Sequence, residues 1–282
     1  VPAPKELDPS ASLAALYGTK LRKLRGRAGL TQRQLGDRIP LAHSRIAQFE
    51  LGKEVPPEDV NGRLDKILGA EGDLIDLWGH LRRTPYPDWA RRYMALEPRA
   101  VKMLKYMAQA VPGLWQTEAY ARALLRTSRP RDTDERIEEL VSARLERQAI
   151  LRGARPPLFW CIVDEAVLRR PVGGPVAMVE QLASLLGHAS TPHAVLQVLP
   201  FGAGEHPVMG GSLTLLGFER AQDVAYTESS HSGELVEAPE QVAEYALAYD
   251  LLQAKALAPE PSLAVVRSAM EEYRACQPHG VT

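Results

Sequence analysis

Between Gly29 and Pro40 the sequence has room for a helix of two turns, and side chains mark both of its ends. Thr31-Gln32-Arg33-Gln34 is a capping box: the Thr31 hydroxyl accepts from the third helical amide while Gln34 reaches back to the Thr31 amide. Leu35 and Ile39 face inward, and Pro40 stops the helix because it lacks an amide hydrogen and clashes with the preceding turn. A second short helix follows, with Ile46 and Phe49 as its apolar pair, closed by Leu51-Gly52-Lys53. Gly36 is the small residue that lets two such helices approach. Upstream, Leu13, Tyr17, Leu21, Leu24 and Ala28 recur at helical spacing until Gly29 caps the run. Downstream, Val60, Leu64, Ile67 and Leu68 mark a fourth helix, and Leu74, Leu77, Trp78 and Leu81 a fifth. Five short helices in so little chain predict one all-helical domain.

The polar side of the helix after Pro40 carries His43, Ser44, Arg45 and Gln48. Two short helices joined by a tight turn lay the second one into the major groove of DNA, where such side chains reach base edges. The amino end of the first helix, at Thr31 and Gln32, offers free amides to a phosphate. Local charge points the same way. Between Tyr17 and Lys53 nine basic residues (Lys20, Arg22, Lys23, Arg25, Arg27, Arg33, Arg38, Arg45 and Lys53) face only Asp37 and Glu50. That is a local +7 in a chain of net charge −1, so the remainder is acidic. The alternative for Arg45 is a surface pair with Glu50 or Asp37.

A boundary falls at Arg82-Arg83-Thr84-Pro85-Tyr86-Pro87, dividing the 282 residues into domains 1–84 and 85–282. The second part predicts a helix from Asp88 to Ala108, one capped by Thr117, one from Asp134 to Leu151 and one from Val176 to Gly187. Helices near Pro239–Leu257 and Ser262–Arg274 close it. Short apolar runs at Leu158–Val163, Val195–Leu199, Leu213–Phe218 and Val224–Thr227 have strand length. The fold class is therefore mainly α with a small β-sheet: a five-helix domain followed by an α+β domain.

Gly29-Leu30-Thr31-Gln32 to Leu35-Gly36, then Ser44-Arg45-Ile46 to Phe49-Glu50-Leu51-Gly52-Lys53, resembles the xenobiotic-response-element type of phage-repressor-like helix-turn-helix regulators over about Leu16 to Trp78. Pro40 stands where that family usually has Gly, and Ala42 where Ser usually caps the recognition helix. Four later blocks resemble the large carboxy-terminal domain of actinobacterial antitoxin-like regulators. They are Val111–Arg122, Arg144–Gln148, Val163–Gly174, and Gln197–Phe201 with Met209–Gly211. The resemblance implies a transcriptional regulator, acting as a repressor, that binds a double-stranded DNA operator as a homodimer. It also implies control through the second domain by a small protein partner encoded nearby. The DNA-binding residues expected are Thr31, Gln32, His43, Ser44, Arg45, Gln48 and Lys53. The alternatives are a small-molecule sensor pocket lined by Trp115, Phe159, Trp160 and Tyr226, or an enzyme domain joined to a DNA-binding one.

Other chemistry finds little support. His188, His193 and His206 lack the spacing of a helical zinc motif, Ser230-His231-Ser232 lacks a nucleophile elbow, and no phosphate-binding loop is present. Asp164-Glu165 reads as the cap of the next helical turn, and Cys161 as a small buried hydrophobe. Cys161 and Cys276 cannot build a disulfide scaffold. No catalytic residue, cofactor or metal is expected. With no membrane-length apolar run and no secretory leader in Val1–Glu6, the expected location is cytoplasmic.

Overall fold

The computed structural model describes residues 8–10, 13–83 and 87–276, and nothing is said of the side chains of Arg82, Arg83 and Asp88. Residues 1–7, on which the expected absence of a leader rested, and residues 84–86 of the expected boundary lie outside the described residues. The chain divides into two compact units, Val1–Asp88 and Trp89–Thr282.

The first unit is helical: α1 (Leu13–Arg27), α2 (Gln32–Arg38), α3 (His43–Glu50), α4 (Glu58–Leu68) and α5 (Asp73–Arg83). Its core joins Tyr17, Leu21 and Leu24 of α1 to Leu35, Ile39, Ile46, Phe49, Val60, Leu64 and Leu74. Ala28 lies beyond the end of α1 and is exposed. Gly29 and Gly69 end α1 and α4 at φ +67° and +58°, a region that L side chains rarely adopt. Buried Asp65 then starts α5, accepting from the amides of Gly72 at 3.0 Å and Leu74 at 3.1 Å.

The second unit is built on a six-stranded mixed sheet. Its strands are β1 (Lys102–Met107), β2 (Leu158–Asp164), β3 (Ala194–Leu199), β4 (Ser212–Gly217), β5 (Val224–Glu228) and β6 (Gly233–Val236). They lie in the order β3-β2-β1-β4-β5-β6; β1, β2 and β3 are parallel, and β4, β5 and β6 pair antiparallel. The helices are α6 (Asp88–Leu96), α7 (Glu118–Ser128), α8 (Asp134–Glu146), α9 (Glu165–Arg169), α10 (Gly174–Ala189), α11 (Pro239–Lys255) and α12 (Pro259–Ala275). One sheet face buries Met103, Phe159, Cys161, Val163, Leu196, Val198 and Leu216 against α10 and α12. The other buries Tyr106, Ile162, Leu199, Leu213 and Leu215 against Val242, Tyr249 and Leu252 of α11. Neighbouring residues of a strand point to opposite faces, which separates these two sets.

The expected helix over Asp88–Ala108 is corrected here. Only its first half is helical; Lys102–Met107 is β1, at the middle of the sheet. Met103, Tyr106 and Met107 mimic helical spacing, and a strand covered on both faces shows no polar alternation to distinguish it. Lys105 also interrupts the apolar run, and only tertiary partners make it tolerable inside. Buried, it donates to the Tyr93 hydroxyl at 2.5 Å and to Glu97 at 3.3 Å. Glu97 in turn lies 2.7 Å from the Arg147 guanidinium. Burial pushes the Glu97 carboxyl up, but the Lys105 and Arg147 charges outweigh it and leave the group below its usual range. The four-residue β6 also carried too little pattern to be read as a strand.

Candidate nucleic-acid interface

The capping box forms as the sequence requires. The Gln34 amide donates to the Thr31 hydroxyl at 3.2 Å, and the Thr31 amide donates to the Gln34 side chain at 2.8 Å. Such a cap is worth about 1 kcal/mol and sets where α2 begins. Gly36 lets the turn close: a Cβ there would stand 2.5 Å from the Leu41 carbonyl oxygen. The Leu41 amide donates to the Gly36 carbonyl at 2.9 Å. Pro40 occupies φ +26°, which its pyrrolidine ring opposes. Ala42 supplies no side-chain cap to α3.

Ile46 and Phe49 are fully buried and anchor α3 by about 1.5–3 kcal/mol each. His43, Ser44 and Gln48 are exposed, with Ser44 and Gln48 one turn apart opposite the buried stripe. Arg45 lies at the flank of that face. Its guanidinium pairs with Glu54, not with Glu50 or Asp37, and sits 5.5 Å from the Phe49 ring centre. The hydrogen bond to Glu54 pushes the Arg45 group above its usual range, so it stays fully cationic. Lys53 is exposed just past α3, its amide bonded to the Gln48 carbonyl at 3.0 Å. Thr31 is exposed, with its hydroxyl engaged in the cap.

Gln32, at the start of α2, donates from its side-chain amide to Glu50 at 2.8 Å. Glu50, one of the two acids that oppose the basic run, is wholly buried. Arg25 grips both of its oxygens and also donates to the Leu30 carbonyl at 2.7 Å; Arg22 stands 3.7 Å away. One carboxylate thus ties α1, α2 and α3 together. Nothing local in the sequence distinguishes it from a solvated glutamate.

The basic run divides accordingly. Arg22 and Arg25 serve Glu50, Lys20 pairs with Asp73 at 2.7 Å, and Arg45 pairs with Glu54. Lys23, Arg27, Arg33, Arg38 and Lys53 are exposed and form no ion pair among the described residues. Two further close approaches escaped the sequence: Gly18, whose Cβ would meet the Phe49 and Glu50 carbonyl oxygens at 2.7 Å, and Gly52, at 2.9 Å from Ala14.

In the second unit the four aromatics proposed as one pocket do not meet. Trp115 packs on Phe159 at 4.6 Å between ring centres, while Tyr226 stacks on Tyr93 at 4.2 Å. Trp160 belongs to the opposite sheet face, where its indole donates to Gln197 at 2.7 Å. Asp164 caps α9, accepting from Ala166 at 2.9 Å. His188 stacks on Trp115 and His206 meets the Tyr106 hydroxyl at 3.1 Å. Cys161 is buried, which pushes its thiol well above the usual range. Among the described residues no group of three His, Cys, Asp or Glu side chains is placed to hold a metal, and no helix is long and apolar enough to cross a membrane.

A capped helix folded back on a second helix through a turn with no room for a Cβ, the second keeping its polar side in solvent, defines a helix-turn-helix domain. This is the architecture of DNA-binding regulators. The family described as Helix-turn-helix domain matches residues 16–78. The chain belongs to the family described as Domain of unknown function (DUF5753), which matches residues 90–268. No curated protein and no solved structure matches the chain.

Proposed function

We propose that the chain is a sequence-specific transcriptional regulator, a repressor that binds operator DNA as a dimer through α3. The carrying observation is that α3 presents His43, Ser44 and Gln48 to solvent from a helix pinned by Ile46 and Phe49. Arg45 stands at its flank and Lys53 past its end. In this reading Ser44, Gln48 and Arg45 meet base edges, with Arg45 leaving Glu54 to form a bidentate pair with guanine. Lys53, His43 and the amides at Thr31 and Gln32 meet phosphates. In this reading the chain recognises DNA, carries out no catalysis and acts in the cytoplasm. Genomic footprinting of the purified protein tests it. The expected result is protected half-sites about 10–10.5 base pairs apart, with affinity falling steeply as salt rises. Protection without sequence preference, or affinity indifferent to salt, overturns the reading.

The second unit, in this proposal, is regulatory and takes a small protein partner, as its resemblance to antitoxin-like regulators implies. Co-purification from the native host identifies that partner. A cavity favours the second reading, a small-molecule sensor. About 150 Å³ lies between Trp115, Phe159 and His188, with Arg152 at its edge, enough for one six-membered ring. A rise in melting temperature with ring-sized metabolites supports the sensor instead.

A further inference from the structure

The helix α11 is apolar on both sides, and among the described residues only one side is covered. Val242, Tyr249 and Leu252 pack on the sheet. On the opposite side Leu247 is 60% exposed and Leu251 49%, with Ala243 and Ala254 exposed above and below them. At about 100° per residue, Ala243, Leu247, Leu251 and Ala254 form one outward stripe. A helix that is apolar all round belongs in an interior, so this face is one half of an interface.

We infer that a second copy of this chain covers it, with the two α11 helices packed antiparallel about a twofold axis. Two of the charges favour this occupant, while Asp250, which the same axis sets opposite its own copy on the other flank, limits the strength of the contact. Glu244 and Lys255 are both exposed and, three turns apart, lie on the same flank of the stripe. A twofold perpendicular to the helix keeps that flank on the same side in both copies. It sets Glu244 of one copy opposite Lys255 of the other, twice. The midpoint of Glu244 and Lys255 falls within a residue of the midpoint of Leu247 and Leu251. A single axis therefore pairs Leu247 with Leu251 and joins both ion pairs. This self-complementarity is what an isologous contact requires. Exposed Ala243 and Ala254 let the helix ends approach, and antiparallel helix dipoles attract.

Lys255 already donates to the carbonyls of Ala203 and Glu205, which leaves its ammonium one further donor and holds the 200–211 segment to the end of α11. That segment carries exposed Phe201 and Met209, further apolar surface on the same part of the unit. One helix pair is a small interface, at or below about 1,200 Å² in total, so the dimer dissociates in the micromolar range.

The inference rests on the dimeric regulator proposed above, and sedimentation equilibrium of the full chain without DNA tests it alone. The wild type is expected to shift from monomer to dimer across micromolar concentrations. Leu247→Glu, at a surface position that leaves the circular dichroism unchanged, weakens the dimer at least tenfold. Glu244→Lys and Lys255→Glu each weaken it about tenfold, since each disturbs two symmetric pairs. The combined Glu244→Lys/Lys255→Glu variant restores it to within about threefold of wild type. A wild type that stays monomeric, a Leu247→Glu variant that sediments like wild type, or a combined variant that fails to recover overturns the interface. A monomer that still footprints a specific site removes this interface and leaves DNA recognition standing; a dimer that footprints nothing does the reverse.

Discussion

Replacing Glu50 probes the packing of the recognition helix at its most sensitive point. The carboxylate is wholly buried and receives Arg25 on both oxygens and Gln32 at 2.8 Å. The Arg25 side chain is itself only 17% exposed and is fixed by the Leu30 carbonyl, so it cannot swing fully into water when its partner goes. Removing one partner of a buried pair costs about 3–5 kcal/mol, chiefly because the remaining charge is left desolvated. Glu50→Ala is therefore expected to cost that much, and Glu50→Gln, which keeps the shape and one acceptor, about 1–3 kcal/mol. Glu50→Leu with Arg25→Met removes both charges and is expected to recover most of the loss. Native-state hydrogen exchange over residues 13–50 of the full chain reads these values without requiring the two units to unfold together. With tenfold per 1.4 kcal/mol, exchange in Glu50→Ala rises about a hundredfold or more. If Glu50→Ala stays within tenfold of wild type, or Glu50→Gln costs as much as Glu50→Ala, the charge network is not what holds the three helices.

Four further outcomes are expected. Arg45→Ala weakens operator binding about 5- to 150-fold, the worth of a bidentate base contact, whereas Glu54→Gln tightens it by up to about fivefold by releasing Arg45; fluorescence anisotropy at fixed salt measures both. Pro40→Gly exchanges about 1–3 kcal/mol of strain at φ +26° for about 1–2 kcal/mol of added unfolded-state entropy, so the melting temperature stays close to wild type or rises; a fall of more than about 5 °C contradicts the strain. Glu97→Ala destabilises the second unit by about 3–5 kcal/mol, leaving Lys105 and Arg147 without their shared carboxylate, as urea denaturation followed by circular dichroism would show. Burial, helped by the Arg152 charge, lowers the His188 proton affinity, so the folded state favours the neutral ring. Its stabilisation is full above the unfolded histidine value of about 6.5 and is lost as pH falls below it. His206 is shifted the same way, so His188→Gln makes the acid-side decline in calorimetric stability shallower without abolishing it.

The residues around α2 and α3 were legible in sequence because the rules that fix them are local. A capping box, a helix-stopping proline, a glycine at a close approach and apolar pairs at helical spacing act within a few residues. The same holds for the Thr117 cap of α7 and the Asp164 cap of α9. The charge imbalance of the first domain was equally available by counting. What remained hidden depends on partners far along the chain. Glu50 reads as an ordinary acidic residue until Arg25 and Gln32 enclose it, and Arg45 found Glu54 rather than the acids considered for it. Lys105 made β1 look unlike a central strand because the groups that neutralise it, Glu97 and Tyr93, come from neighbouring segments folded over it. Likewise, α11 shows an apolar pattern all round, and only the sheet beneath it decides which side is core and which is left outside. Sequence sets local geometry through short-range sterics and hydrogen bonds. Burial of a charge or an apolar face is a property of the assembled neighbours, because desolvation has no sign until the group that compensates it is in place.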